Sequence, residues 1–379
     1  MTANATPFRV EAGPRMLRPT WAEVDLSALR DNLTRLSVVL PHGCKIMFVV
    51  KANAYGHGAV RLALFAQENG LCHMMGVSSI EEGMALREAG ITMPVLVLGS
   101  IYPSSAFAAA LNNGLSVTVA SLDAARELAE TAQNLNVTAR CHIKVDTGMG
   151  RIGTRRPGAF RIAQTLAASS HCSIEGIYTH LSSADADTDY TRLQLKHFRD
   201  TVADCEAAGI KTGLRHAANS HAALHLPEAC FEMVRLGFAI YGLTDEFHPL
   251  LSLKSRIVFL KDVRAGSSIG YSRAFRCKKQ TRIATIPIGY ADGYGRHFSN
   301  CAEALVRGRR VRVAGNISMD MTMLDVSCVE GVSVGDEVVL LGRQAGEEVD
   351  AAELAVLAGT IPYEILTSVS GRVPRLYLQ

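Results

Sequence analysis

No apolar run in this chain approaches the roughly 18 residues that a membrane-spanning helix needs. The strongest, Ile46 to Val50 and Val95 to Leu98, are the size of strands. No membrane partner is therefore expected. The first residues place Pro7, Pro14 and Pro19 among Arg9, Glu11, Arg15 and Arg18, without the apolar centre of a secretory signal. We read 1–17 as a flexible leader. A C-x-x-C pair is also missing: the nine cysteines, an odd number, are scattered from Cys44 to Cys328. That pattern belongs to reduced thiols rather than to a disulfide framework, and it points to the cytoplasm. Neither sign of charge dominates. Lys and Arg number 39 against 36 Asp and Glu, and the two are interleaved, so no basic face marks a nucleic-acid or acidic-lipid partner. A hydrophobic content of 48% with 20% charged residues excludes disordered, collagen-like and coiled-coil chains. What is left is a packed protein whose 379 residues suffice for two to three domains.

From about Lys45 to Gly237, short β-branched runs alternate with helical stretches at a spacing of roughly 20 to 35 residues, the rhythm of parallel strands joined by helices. Strands are expected over 45–50, 73–77, 94–99, 116–120, 139–146, 174–180, 214–219 and 233–237. Ser121 is placed to cap a helix carrying Leu122, Ala125, Leu128 and Ala129 on one side, and a helix after Ser27 carries Leu29, Leu33 and Leu36. Eight such units close most economically into a (β/α)8 barrel, since an open sheet would leave two edges to protect. A doubly wound open sheet is the alternative. Beyond about Leu250 the texture changes to short alternating runs separated by Gly and Asp turns, with one helical stretch near Ala351 to Ala358. The expected fold class is α/β: an N-terminal barrel over 18–250, whose first strand near 20–25 could join the second domain, followed by a mainly β domain over 251–379.

Reactive groups in such barrels come from the C-terminal ends of strands. There the first strand offers Lys51, the fifth Lys144 and Asp146 with Arg151 beyond, the sixth His180, the seventh Asn219 and Ser220, and the eighth Arg235 and Gly237. A lysine at the end of an apolar run is open to desolvation, which lowers its pKa and exposes a nucleophilic amine, as in Schiff-base lysines. Lys51 could equally extend its ammonium out of the rim. Its company favours chemistry, because amides near Ser220 and Gly237 could cradle an anion where these barrels bind phosphate. A lysine with a phosphate corner suggests pyridoxal phosphate.

Two other patterns compete. Gly148, Gly150 and Gly153 spell a dinucleotide fingerprint with Glu175 about twenty residues on, but the following helix is expected only near Pro157 and the unit is the fifth of its series. His221 and His225 have the spacing of a zinc helix, and His142, Lys144, His180 and His216 could surround a barrel-mouth metal with a carbamylated lysine, as in an amidohydrolase. No H-x-H ends the first strand, and no acidic ligand stands there. No metal is expected.

With these residues in hand, the chain resembles the alanine racemase family from about Arg18 to Leu378. The motifs run in order: VVKANAYGHG (49–58), KVDTGMGRIG (144–153), YTH (178–180), AANS (217–220), MVRLGFAIYGL (233–243), GYS (270–272), IPIGYADGYGR (286–296), ISMDM (317–321), IPYEIL (361–366) and RVPR (372–375). The resemblance implies an isomerase in which Lys51 holds pyridoxal phosphate covalently, while Tyr55, Ser220, Gly237, Phe238 and Tyr363 take the phosphate, with Asn219 beside them. It implies that Arg235 faces the pyridine nitrogen and that Tyr271 is a second catalytic base, joined by His180 to Arg235. Arg151 would meet the ring hydroxyl and the substrate carboxylate, and the Met319 amide the same carboxylate, with Asp320 and Tyr290 in support. Lys144 matches a lysine that is carbamylated in several members and steers Arg151. In the family Tyr271, Met319 and Asp320 reach the site from the partner subunit, so a homodimer with shared sites is implied. The leader before Arg18 has no counterpart, and Ser318 stands where some members carry cysteine.

The implied chemistry agrees with these side chains. Racemisation needs a base on each face of the α-carbon, and an amine and a phenol can exchange roles with direction. A phenol is a weak base at neutral pH, and positive charge relayed from Arg235 through His180 would assist it. L- and D-alanine are the expected substrates, for peptidoglycan synthesis or alanine catabolism. A broader amino-acid racemase, for example one acting on serine, and a barrel-fold amino-acid decarboxylase are the alternatives. A single-barrel pyridoxal-phosphate carrier would end near residue 240.

Overall fold

Runs rich in Val, Ile and Met that are buried on both faces form short parallel strands, and the helices between them cover the sheet. In the computed structural model, which describes residues 17–379, the expected leader lies outside the described residues except for Leu17. The chain divides into two compact units. One comprises Asn32–Ala54 and Ala59–Ile240; the other comprises the residues up to Asp31, Tyr55–Gly58 and Tyr241–Gln379.

The first unit holds eight strands, β2 (Lys45–Val49), β3 (Met74–Val77), β4 (Val95–Val97), β5 (Ser116–Val119), β6 (Ala139–Lys144), β7 (Cys172–Tyr178), β8 (Leu214–His216) and β9 (Met233–Leu236). They pair in parallel in the order β8-β7-β6-β5-β4-β3-β2-β9. Between β8 and β9 a single backbone bond, Arg235 N–H to the Ala218 carbonyl at 3.0 Å, nearly closes the ring. The barrel arrangement is thus present, and the open sheet is not. Met47, Met74, Leu96 and Met233 pack into one buried cluster, with Leu98 and Leu214 against it. On the helix Leu122–Leu135, Ser121 Oγ accepts from the Ala124 N–H at 3.1 Å, as expected of an N-cap. Ala125, Leu128 and Ala132 form its buried stripe; Ala132 rather than Ala129 completes it, in keeping with a spacing of 3.6 residues per turn.

The second unit is built on a ten-stranded sheet that begins with β1 (Thr20–Asp25). Its neighbours are Leu251–Arg256, antiparallel, and the C-terminal strand Arg375–Leu378, parallel. The remaining pairings are antiparallel, and a two-stranded ribbon of Ser268–Ile269 with Phe275–Arg276 stands apart from the sheet. Helices Ala351–Ala358 and Pro362–Ser368 complete the unit. Among the described residues no helix is long and apolar enough to cross a membrane.

Candidate active site

Lys51 directly follows the apolar run that forms β2, and the next four residues break the rules for L-amino acids. Ala52, Asn53, Ala54 and Tyr55 all have φ near +52°, forming a left-handed turn. Each such residue costs about 1–2 kcal/mol, so neighbours must hold the turn in place. The Ala52 N–H donates to Glu82 Oε1 at 2.7 Å, the Ala54 N–H to the Val50 carbonyl at 2.8 Å, and the Ala59 N–H to Asn53 Oδ1 at 2.9 Å. The other Glu82 oxygen accepts from the Ser78 N–H and hydroxyl, at 2.7 and 2.9 Å. Burial, followed by repulsion from Arg151, lowers the Lys51 pKa, and Glu82 offsets part of the shift. A free amine is thereby easier to form.

Lys144 ends β6 fully enclosed, its ammonium donating to the Val145 carbonyl at 2.9 Å. Burial and then Arg235 bring it down to about 7, with Asp146 opposing and Arg151 adding. Asp146 itself is held below the usual carboxylate range, the amides of its own loop and Lys144 outweighing its desolvation. One of its oxygens, Oδ1, accepts the N–H groups of Gly148, Met149 and Gly150 at 3.0, 2.9 and 3.1 Å. The amides that a pyrophosphate would meet in the competing dinucleotide pattern are occupied by Asp146. Arg151, at the end of the same loop, is exposed, and among the described residues no hydrogen bond or ion pair holds its guanidinium.

Arg235, in β9, is buried and heavily engaged. Its Nη1 donates to His216 Nδ1 at 3.0 Å and to the His216 carbonyl at 2.9 Å; its Nη2 donates to the carbonyls of Thr179 and Ala217 at 2.8 and 2.9 Å, with His180 Nδ1 at 3.3 Å. Nε–H is the guanidinium donor with no partner among the described residues. Burial lowers Arg235 to about 10 against the opposing influence of Tyr178, so it stays charged at neutral pH. His180 falls to about 3 through burial and the charges of Arg235, Arg151, Lys144 and Lys51.

Beyond β8, Asn219 caps the short helix Ser220–His225, its Oδ1 accepting from the Ala222 N–H at 3.0 Å. Ser220 is buried, and its Oγ accepts the N–H groups of Gly237 and Ala239, both at 3.2 Å. A hydroxyl has two acceptor sites and one proton, so the Ser220 O–H remains available as a donor. The Gly237 amide is thus engaged by Ser220. Phe238 follows directly.

The second unit gathers the other expected residues. Tyr55 is buried against Tyr363, with ring centroids 5.5 Å apart, and against Tyr241 at 4.6 Å; burial raises its phenol's pKa. Tyr271 is 69% exposed, and its backbone carbonyl accepts from Asn316 Nδ2 at 3.0 Å. Met319 is exposed too, and its carbonyl accepts the Ala291 N–H at 3.1 Å, while Tyr290 donates its N–H to the Ser318 carbonyl at 3.1 Å. A Cβ on Gly289 would lie 2.2 Å from the Ser318 oxygen, so this junction needs a glycine. Asp320 pairs with Arg372 at 2.7 Å. Arg372 also approaches the buried Asp292, which takes a two-pronged bond from Arg18 at 2.8 and 2.9 Å.

Of the competing histidines, His221 and His225 lie against each other with centroids 4.5 Å apart and the rings tilted at 50°. His142 and His216 face one another across the barrel interior, Nδ1 to Nε2, at 2.9 Å. Among the described residues no group of three or more His, Cys, Asp or Glu side chains is arranged to hold a metal. Sequence reasoning passed over Glu82 and Asp292. Ser79 with Glu82 does carry the S-x-x-E signature of a helix start, which gives no hint that the carboxylate also holds the Lys51 turn.

Comparison with known proteins now decides the family. A model of the alanine racemase N-terminal domain matches residues 24–245, and one of the C-terminal domain matches 250–377. The chain belongs to the alanine racemase family. An alanine racemase from Symbiobacterium thermophilum is 46% identical over 370 residues, covering 95% of this chain and 97% of its own. Among solved structures, alanine racemase from Bacillus anthracis with bound L-Ala-P superposes with a TM-score of 0.91 at 36% identity, over 97% of this chain and 96% of that one. Histidine racemase from Leuconostoc mesenteroides superposes with a TM-score of 0.89 at 26% identity, over 97% and 100%. Alanine racemases are isomerases that depend on pyridoxal phosphate, and this chain is one of that enzyme family.

Proposed function

We propose that this protein interconverts L- and D-alanine, with pyridoxal phosphate held on Lys51 and the α-proton handled by Lys51 and by Tyr271 of the partner subunit. One observation carries the reading. The half-buried amine of Lys51 is repelled by Arg151, buried Lys144 by Arg235 and Arg151, and His180 feels all four of these cations. The nearby carboxylates are engaged elsewhere, Asp146 by three amides and Glu82 by Ala52 and Ser78. Such a surplus of cations fits a phosphate-bearing group and a substrate carboxylate. The spare Nε–H of Arg235 fits an unprotonated ring nitrogen, and the spare Ser220 O–H fits a phosphate oxygen.

In this reading Lys51 forms the covalent attachment, and Tyr55, Asn219, Ser220, Gly237, Phe238 and Tyr363 hold the phosphate. When bound, pyridoxal phosphate supplies a conjugated sink for the charge left on the α-carbon. The side chains do the rest. Arg151 and the amide of Met319 of the partner subunit orient the substrate carboxylate, Lys144 steers Arg151, and Asp320 and Tyr290 support the Met319 segment. Released from its attachment when the substrate amine takes its place, Lys51 Nζ would be free to take the proton from one side while Tyr271 Oη of the partner subunit returns one from the other; in the opposite direction the roles exchange. His180 links Tyr271 to Arg235, whose guanidinium keeps its own proton and so donates a hydrogen bond without protonating the ring nitrogen.

The enzyme would work in the cytoplasm as a homodimer with two shared sites, supplying D-alanine for peptidoglycan or opening alanine to catabolism. A panel of purified L-amino acids, followed by chiral chromatography, tests the reaction. Alanine should racemise fastest without released carbon dioxide; carbon dioxide would mark a decarboxylase instead. A wider substrate range is the second reading, favoured by the histidine racemase that shares this fold. A pocket difference of one small group is worth only about 1–3 kcal/mol, and the same panel measures the breadth.

A further inference from the structure

His142 is a polar residue between two apolar ones, Cys141 and Ile143, and is fully buried in the barrel. It touches none of the groups assigned above to cofactor or substrate. Its Nδ1 lies 2.9 Å from His216 Nε2, and His216 Nδ1 lies 3.0 Å from Arg235 Nη1. The chemistry of the last member sets the direction of the whole row. Guanidinium only donates, so His216 Nδ1 must accept. A neutral imidazole has one proton, which in His216 must then sit on Nε2 and point at His142. His142 Nδ1 accepts it, and the proton of His142 is left on Nε2, which is buried and has no partner among the described residues.

We propose that His142 is a positioning residue for Arg235: as the terminal acceptor of the row, it locks His216 in the Nε2–H tautomer and so keeps a lone pair aimed at the guanidinium. The inference rests on the reading that Arg235 faces the cofactor. An orphaned buried N–H is a cost that leucine or phenylalanine at this position would avoid, so packing gives no reason for a histidine here. The surroundings hold both rings in place, at 75° to each other. Tyr178 stacks on His216 at 4.7 Å with an interplanar angle of 5°, and a Cβ on Gly176 of β7 would fall 2.3 Å from His142 Nδ1, so a glycine makes room for the ring. Burial, with Arg235 beside them, keeps both imidazoles uncharged: His142 is lowered to about 3 and His216 well below its ordinary value. A protonated His216 would turn an N–H toward Arg235 and lose the acceptor that the guanidinium uses.

The test is long-range proton–nitrogen NMR on the holoenzyme labelled with 15N-histidine, with His142→Gln and His216→Gln assigning the two signals. Both histidines should be neutral Nε2–H tautomers. His216 found as Nδ1–H, or as imidazolium, overturns the proposal. Kinetics give a second readout. His142→Leu should lower kcat by about tenfold, the size of one buried hydrogen bond, and leave the alanine KM within about threefold, while His142→Gln, whose amide oxygen still accepts, should recover most of the loss. An unchanged kcat in a folded leucine variant overturns the role; should that variant not fold, the wild-type tautomers decide alone. A wild type that lacks racemase activity but shows the expected tautomers would sink the functional reading and leave the hydrogen-bond row standing.

Discussion

Three imidazoles in the barrel, His142, His180 and His216, are kept neutral by burial and by the cations around them. The pH consequence has a definite sign. An unfolded histidine takes a proton near pH 6.5. His142 in the folded chain resists until about 3. Between those values the unfolded state holds the extra proton, so stability falls as pH falls, by up to about 1.4 kcal/mol per pH unit for each such residue. His142→Gln should remove one proton's worth of that slope, read as the difference between variant and wild-type urea midpoints from pH 6.5 down to 4.5. Arg235 gives a second residue-scale prediction. If, as proposed, its guanidinium faces the ring nitrogen without protonating it, Arg235→Glu should strengthen the electron sink and raise the transamination side reaction, measured as pyruvate formed per racemisation event; no rise would count against the role assigned to Arg235. At this scale Lys51 was legible because an amine at the end of an apolar strand is unusual. His142 and His216 were visible but pointed toward a metal, since sequence spacing does not reveal that one meets the other and the other meets an arginine.

The loop after β6 shows how an element positions a functional side chain. Asp146 gathers three amides onto one carboxylate oxygen, which shapes the turn that ends in Arg151. Asp146→Ala should release that turn and raise the alanine KM by about tenfold or more with a smaller change in kcat, since hydrogen bonds to a charged group are worth about 1.5–3 kcal/mol each. Steady-state kinetics decide, and an unchanged KM would show that the loop holds Arg151 by other means. All eight barrel strands were legible, because buried parallel strands read as apolar runs at a regular spacing. The left-handed turn at Ala52 to Tyr55 was not. Nothing in Ala, Asn, Ala, Tyr announces positive φ; a tertiary bond to Glu82 and a local one from the Ala59 N–H to Asn53 hold it. The glycine-rich loop was rightly set against a dinucleotide site, but the reason its amides are occupied was not legible, since Asp146 lies just before the motif and reads as part of the strand's end.

At the scale of the whole molecule, the exposed Tyr271 and Met319 are expected to serve the partner's site rather than stand as idle apolar surface. Mixing inactive Lys51→Ala and Tyr271→Phe subunits should then restore about a quarter of wild-type activity, since half the dimers are mixed and each has one intact site. No recovery after proven subunit exchange would contradict shared sites. The change from strand-helix units to alternating strands near Leu250 was plain in the sequence. That the strand near 20–25 could join the second domain was an open option, but its pairing with the C-terminal Arg375–Leu378 was not foreseen, because pairing between strands about 350 residues apart leaves no local signal. The central claim is chemical and can be tested directly. Borohydride reduction of the purified protein, followed by peptide mass mapping, should place a pyridoxyl phosphate group on the peptide containing Lys51. A protein that remains unlabelled there after incubation with pyridoxal phosphate would contradict the account.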